Sequence, residues 1–532
     1  MKKVILTICI LFSALIISAA SMPSPTGNNY VNVGLESKYK NIASVAVDNS
    51  SINIFFGGQQ VGLQSSNGFS VSQQAGYYLK SDKAYRNYDE ANNNLINYGT
   101  NSVAGFYSNN FYIFIGPFDS MESAQGALES GFLVEQPNKA LVLISGSENA
   151  ALIDSSLDTK ISPANREGIS LSGAMYRGAI KFAAGSRGLT VINYLPVEEY
   201  LYSTLPSEMP PSWHEEALKA QAVAARSYVY TRAGIHSNAG YDVCDTVHCQ
   251  AYNGMKSETD KTNKAVADTK GIIAYYDGEP INAVFSSSSG GITDDSENTW
   301  SSSVPYLKSV LEVSEDSEVW SRSFNMGDIT TLLNKTNSKI GEAVGVSIDS
   351  IKNERVHELA IHGTNGKKVL TGEEIRTFFS SSRGGSLHSR YFRINEDVPK
   401  IQAVKDQSLP SSPQQSPAYY IYDYGDIIKR DMDKLYVYNG NTAQMAGGDI
   451  VAIGKNGTLP PVNNPTNSTE NTTYVPSNET SIGEVYSGEI TLNGRGWGHG
   501  VGMSQYGAQG MALEGYSYDQ IIKHYFSGVD VK

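Results

Sequence analysis

Leu205-Pro206-Ser207-Glu208-Met209-Pro210-Pro211-Ser212-Trp213 runs directly into Glu216-Ala217-Leu218-Lys219-Ala220-Gln221-Ala222-Val223-Ala224-Ala225-Arg226-Ser227-Tyr228. The second part reads as a helix over Ser212–Gly234. Ser212 and Glu215 form an S-x-x-E capping box. Leu218, Ala222, Ala225 and Val229 recur at helical spacing, and Gly234 supplies a C-terminal stop. Pro210 and Pro211 keep that helix from extending backwards. Glu208 is left before the helix, among Leu205, Pro206, Met209, Pro210, Pro211 and Trp213, an apolar setting for a carboxyl.

Strand and helix signals alternate on either side. Leu189–Leu195 reads as a strand. Ile272–Tyr276 and Ile281–Phe285 flank Asp277-Gly278, a hairpin signal. Leu359–His362 and Val369-Leu370 flank a Gly-rich turn, and Glu373–Phe379 is a short helix. Earlier, Ile52–Phe56 and Phe111–Ile115 read as strands, the latter broken by Gly116-Pro117. Asp89–Tyr98 and the segment from Ser120 read as helices. The pattern is α+β: a mixed-sheet domain over 165–400 and 485–532 with a long helix and a substrate groove, plus a small α+β domain over 36–145. Gln, Ser, Pro, Asn and Thr dominate 403–417 and 456–480, so 403–480 reads as an insertion with flexible flanks.

Composition narrows the class of function. The 532 residues carry 41 Lys and Arg against 54 Asp and Glu, a formal charge of −13. Such a balance without a basic block argues against nucleic acid and anionic lipid as partners. A neutral polymer such as a glycan remains open, and the 33 Tyr offer faces for sugar rings as well as β-structure. Lys2 and Lys3, the apolar run Val4–Ile17 and the small residues Ser18, Ala19 and Ala20 read as an export signal over 1–20, or as an uncleaved anchor. Either places the remainder outside the cytoplasmic membrane, and the anchor would be its sole membrane attachment.

Two long segments resemble one family. Leu195–Trp213 with its continuation to Tyr228, and Gly494-Arg495-Gly496-Trp497-Gly498-His499-Gly500-Val501-Gly502-Met503-Ser504-Gln505-Tyr506-Gly507-Ala508, are similar to the two signatures of stage II sporulation protein D and the amidase-enhancer proteins. The resemblance implies lytic transglycosylase activity on peptidoglycan stripped of stem peptides, with Glu208 on the catalytic position and a cell-wall amidase as partner. One branch of the family is described as a non-catalytic amidase activator, and a wall-binding scaffold is a third reading. Tyr112–Phe118 with Ser123-Ala124 resembles the glycan-binding repeat of SPOR-like domains.

The chemistry accommodates one carboxyl. A glycosidic oxygen leaves when an acid protonates it, so that acid must have a raised pKa. Hydrolysis uses two carboxylates. In a lytic transglycosylase the 6-hydroxyl of N-acetylmuramic acid attacks its own anomeric carbon, and a single glutamate handles both protons. No cofactor is required for that step. His499, Ser504, Gln505 and Tyr506, together with Ser288 in Ser286–Gly291, are polar groups suited to sugar hydroxyls and acetamides, and Arg226 either faces the groove or pairs with an acid. Cys244, His248 and Cys249, with His236 upstream, can hold zinc, whereas an isolated Cys pair in an exported chain can equally form a disulfide. The family resemblance places structural zinc ahead of the disulfide.

Overall fold

The computed structural model describes residues 29–398 and 482–532, except 57, 100, 136–140, 148–149, 166, 316 and 383–384, together with four strands between 419 and 445. The expected export signal lies outside the described residues. So do the flanks of the 403–480 insertion, whose strands Tyr419–Asp423, Asp426–Asp431, Lys434–Tyr438 and Ala443–Met445 make an antiparallel meander. Among the described residues no helix is long and apolar enough to cross a membrane.

The architecture is α+β, with several mixed sheets. A seven-stranded sheet runs in the order Val243–Cys244, β1 (Tyr30–Gly34), β3 (Gly188–Pro196), β2 (Ala179–Gly185), Lys160–Pro163, Ser51–Phe56, Gln59–Gln64. β1 is internal. It pairs antiparallel with β3, Val31 opposite Leu195, and parallel with Val243–Cys244. Val31, Val33, Val191 and Leu195 are fully buried, and β1 is buried at every position after Tyr30, as an internal strand covered on both faces would be. The segments expected to divide at 145–165 therefore share one sheet.

A ten-stranded sheet lies beside it. Its far end is a β-α-β-β-α-β unit. Tyr77–Ser81, the helix Tyr88–Asn94, Ser102–Tyr107, Asn110–Phe118, the helix Met121–Gly126 and Phe132–Glu135 give strand order fourth, first, third, second. Gly116-Pro117 does not end its strand, which continues to Phe118. The pairing with Tyr77–Ser81 shifts register there, and a bulge tolerates a residue with no N–H.

Five helices form the hub of the molecule: α1 (Val197–Glu208), α2 (Glu215–Arg232), α3 (Asp260–Asp268), α4 (Gln505–Leu513) and α5 (Tyr518–Tyr525), with α1 packing on β1 and β3. α2 touches each of the other four. Ala217, Leu218, Ala220, Ala222, Val223, Ala224, Ala225 and Val229 are buried with no exposure, because small side chains allow close approach from several directions. The capping differs from the expected box. His214 is the N-cap, its Nδ1 accepting from Glu216 N at 3.2 Å, and Ser212 lies outside the helix. Residues 319–394 and 489–495 form a second body with its own core around Ile329, Leu359, Ile375, Phe392 and Leu492.

Candidate active site around Glu208

α1 runs from Val197 to Glu208 and ends there, Met209 being extended. Glu208 is thus the last residue of a helix. Tyr200, Leu201 and Leu205 anchor α1 in the core with no exposure, so the position of its final residue is fixed by packing.

The Glu208 carboxyl is half-buried, and Oε1 accepts from Ala251 N at 2.6 Å. Burial raises its pKa, and the Ala251 N–H opposes that. Desolvation prevails. The negative end of α1 acts in the same direction as burial, whereas a position ahead of the next helix would have favoured the carboxylate.

The second signature segment meets Glu208 directly. β4 (Phe285–Ser286) pairs parallel with β5 (Met503–Ser504), and α4 follows at once. Gln505, at the first position of α4, donates from Nε2 to the Glu208 carbonyl at 3.0 Å and to Gln221 Oε1 at 3.3 Å. Gln509 Oε1 accepts from His214 N at 2.8 Å. Tyr506 is exposed and stands edge-on to Trp213, ring centroids 4.9 Å apart.

The remaining expected ligand contacts are placed differently. Arg226 has no exposure. It grips Glu198 through Nε at 2.9 Å and Nη2 at 2.7 Å, and also donates to the Ile272 carbonyl at 3.0 Å. Of the two roles open to it, pairing with an acid is the one realised. Ser288 is buried and donates to Glu315 Oε1 at 2.5 Å. Ser504 is buried, accepts from Gly507 N at 3.1 Å as the α4 cap and donates to Glu315 at 3.3 Å. Neither hydroxyl is presented to solvent. His499 packs against Trp300 at 5.0 Å, and its Nδ1 accepts from Val501 N at 3.0 Å. Burial and the nearby Arg376 push its pKa down to about 3, so the ring is neutral.

Glu315 is a residue that the sequence did not signal. Its carboxylate accepts from Ser288 Oγ, Ser289 N (2.8 Å), Ser289 Oγ (2.6 Å), Gly291 N (3.0 Å) and Ser504 Oγ. It thereby ties the Ser286–Gly291 loop to the start of α4. Behind it, Glu312 is buried and accepts from Tyr525 Oη at 2.5 Å, with burial and the Glu315 charge raising its pKa. No spacing marks either acid, because their partners lie in distant segments.

The Cys and His residues converge. The donor atoms of His236, Cys244, His248 and Cys249 all lie within 4.8 Å of one another, and the two cysteines are free thiols. His236 Nε2 is 3.3 Å from Cys249 Sγ, and His248 Nδ1 is 3.5 Å from Cys249 Sγ and 3.8 Å from Cys244 Sγ. A tetrahedral zinc with bonds of about 2.0–2.3 Å separates its ligands by roughly 3.3–3.8 Å, so the donor set fits that ion. Ala251, which holds the Glu208 carboxyl, follows Cys249 by two residues. Gln250 between them accepts from Tyr200 Oη of α1 at 3.0 Å.

Part of this region is similar to known proteins. Residues 185–276, which include β3, α1, α2 and the Cys/His loop, match the family model described as Stage II sporulation protein. The chain is 30% identical over 450 residues to the amidase enhancer of Bacillus subtilis (strain 168), an alignment covering 78% of this chain and 53% of that protein. It is 27% identical over 356 residues to stage II sporulation protein D of the same organism, covering 64% of this chain and 75% of that one. An uncharacterized protein of Brachyspira hyodysenteriae is 27% identical over 370 residues, covering 69% and 74% respectively. The chain spans about half the length of the amidase enhancer.

Proposed function

Because the chain belongs to the stage II sporulation protein D and amidase-enhancer family, we propose that it is a lytic transglycosylase acting outside the cytoplasmic membrane on peptidoglycan glycan strands, preferably those freed of stem peptides. The single observation that carries this reading is the Glu208 carboxyl, its pKa raised by burial, at the meeting point of the two signature segments.

In the proposed reaction Glu208 gives its proton to the glycosidic oxygen between N-acetylmuramic acid and N-acetylglucosamine. Positive charge develops at the anomeric carbon as that bond breaks. The muramic 6-hydroxyl closes on the same carbon and returns its proton to Glu208. A 1,6-anhydro end and a free N-acetylglucosamine 4-hydroxyl result, and the acid is regenerated. The Ala251 N–H holds the carboxyl, and Gln505 holds the Glu208 backbone. The weak resemblance of the N-terminal unit to SPOR-like domains fits a role for it in holding the strand.

Cys244, Cys249, His248 and His236 would hold a structural zinc ion, which supplies a cross-link between the Cys/His loop and the end of α2 and takes no part in bond cleavage. Metal analysis with and without Cys244→Ser tests it.

Digestion of purified, amidase-stripped glycan strands tests the catalytic reading. Anhydro-ended products from the wild type that vanish in Glu208→Gln are the expected result. The name of the amidase enhancer favours a second reading, in which the protein activates a cell-wall amidase without cutting glycan. Stimulated release of stem peptides by an added amidase, with intact glycan, would select it.

A further inference from the structure

Trp497 stands in the second signature segment but takes no part in the site described above. It is 43% exposed, although it is a large apolar ring. One of its faces is covered. His388 stacks on it with centroids 3.9 Å apart and planes 28° from parallel. Behind His388 lies Trp320, only 7% exposed, at 5.7 Å. The three rings form a column that begins in the core of the second body and ends with the open face of Trp497. The backbone around it is also fixed. Gly496 and Gly498 have φ of 77° and 116°, conformations that side chains rarely adopt. Gly496 N donates to Glu318 O at 2.8 Å and Gly498 N to His388 O at 2.8 Å. Trp497 itself exchanges two hydrogen bonds with Ser288, at 2.9 and 3.0 Å. The outward position of the indole is therefore prepared before any ligand arrives, and neither neighbour carries a side chain to block its approach.

The platform is linked to the Glu208 site through the backbone. Tyr506 N donates to Ser287 O at 3.0 Å, and Trp497 pairs with the next residue, Ser288. The backbones of the two exposed residues are thus anchored to the consecutive residues Ser287 and Ser288. Tyr506 follows Gln505, which holds Glu208.

We propose that the open face of Trp497 is a sugar-stacking subsite that holds a pyranose ring of an N-acetylated amino-sugar strand on the side of Glu208 marked by Tyr506. An exposed ring face carries partial negative charge, and the C–H face of a pyranose is apolar and weakly positive, so the two attract without any ionic partner. A glycan strand, rather than a protein, is the occupant because the platform is one flat face flanked by glycines and its backbone is tied through Ser288 and Ser287 to the segment that meets Glu208. This assignment rests on the glycan-binding part of the proposed function, not on the chemical step.

The test uses the full chain carrying Glu208→Gln, so that binding is read without cleavage. The probes are N-acetylchitohexaose and amidase-stripped glycan strands, titrated by calorimetry. Addition of Trp497→Ala is expected to weaken binding by about tenfold, and Trp497→Phe to retain most of the affinity. An unchanged melting temperature verifies that both variants are folded. In the chain with Glu208 intact, Trp497→Ala is expected to raise KM while kcat stays near the wild-type value. Equal affinity of the Trp497→Ala and parent proteins for both probes overturns the subsite, as does a loss confined to amidase stimulation. If the wild type makes no anhydro ends while Trp497→Ala still weakens binding, the subsite stands and only the catalytic reading falls.

Discussion

Gln505 Nε2 lies 3.0 Å from the backbone carbonyl of Glu208, joining residues 297 positions apart in the chain. The hydrogen bond goes to the main chain and not to the carboxyl. Gln505 therefore fixes where the acid stands without competing for its proton.

Glu208→Gln is expected to abolish anhydro-end formation, a loss of about 10²–10⁴-fold if general-acid transfer is all that is removed. The same variant separates ionisation from packing. Burial raises the folded pKa of Glu208, so the native state binds the proton more tightly than the unfolded chain does. Wild-type stability relative to Glu208→Gln thus falls as pH rises from the unfolded value of about 4.3 through the raised native value, and levels off above it. Melting curves of both proteins across that window check the sign. Turnover by the wild type should decline on the alkaline side as the acid ionises.

Gln505→Ala removes the tether and leaves the Glu208 carbonyl and Gln221 without this donor. Turnover should fall by about tenfold or more with a smaller change in KM, because the acid is displaced while the binding surface persists. Gln505→Glu, which cannot donate when ionised, should behave like the alanine variant above the titration of that new acid. Wild-type turnover in both variants would show that the tether is dispensable.

Glu315→Gln should be strongly destabilising. The carboxylate accepts from both hydroxyls and two backbone N–H groups of the Ser288–Gly291 turn and from Ser504. Its replacement by an amide puts two donors where acceptors are needed, at a cost of about 2–4 kcal/mol. Chemical denaturation measures it. Glu315→Asp, which keeps the charge, should recover part of the loss.

Cys244→Ser should lower bound zinc from about one ion per chain towards none and depress the melting temperature, since a lost thiolate opens the tetrahedral set. A chelator should have the same effect on the wild type and none on the variant. Equal melting temperatures with and without chelator, in a wild type free of metal, would remove zinc from the site.

Much of this was legible locally. The stripe Leu218, Ala222, Ala225, Val229 marked α2, and the apolar neighbours of Glu208 marked its desolvation. Other features depend on partners far away in sequence. Nothing near Val197–Glu208 announces a helix, because Pro206 argues against one and the packing of Tyr200 and Leu205 decides for it. Ser288 and Ser504 looked like ligand hydroxyls until Glu315 claimed both. Arg226 carries the same charge whether it faces a groove or a buried acid, and only the fold brings Glu198 to it. The strand at Tyr30–Gly34 is not marked by its own residues, since short strands gain their identity from neighbours, here Leu195 and Val243.

The separation of Glu208 from Gln505 also governs when the protein can become active. A growing chain holds the acid long before it holds the residue that steadies it. α4 and α5, which pack on α2, are made well after it. A partial product that stops between Glu208 and Gln505 has the acid without the tether. For a protein proposed to cut the wall that confines its own cell, the order of the polypeptide itself withholds the tether until synthesis has passed Gln505.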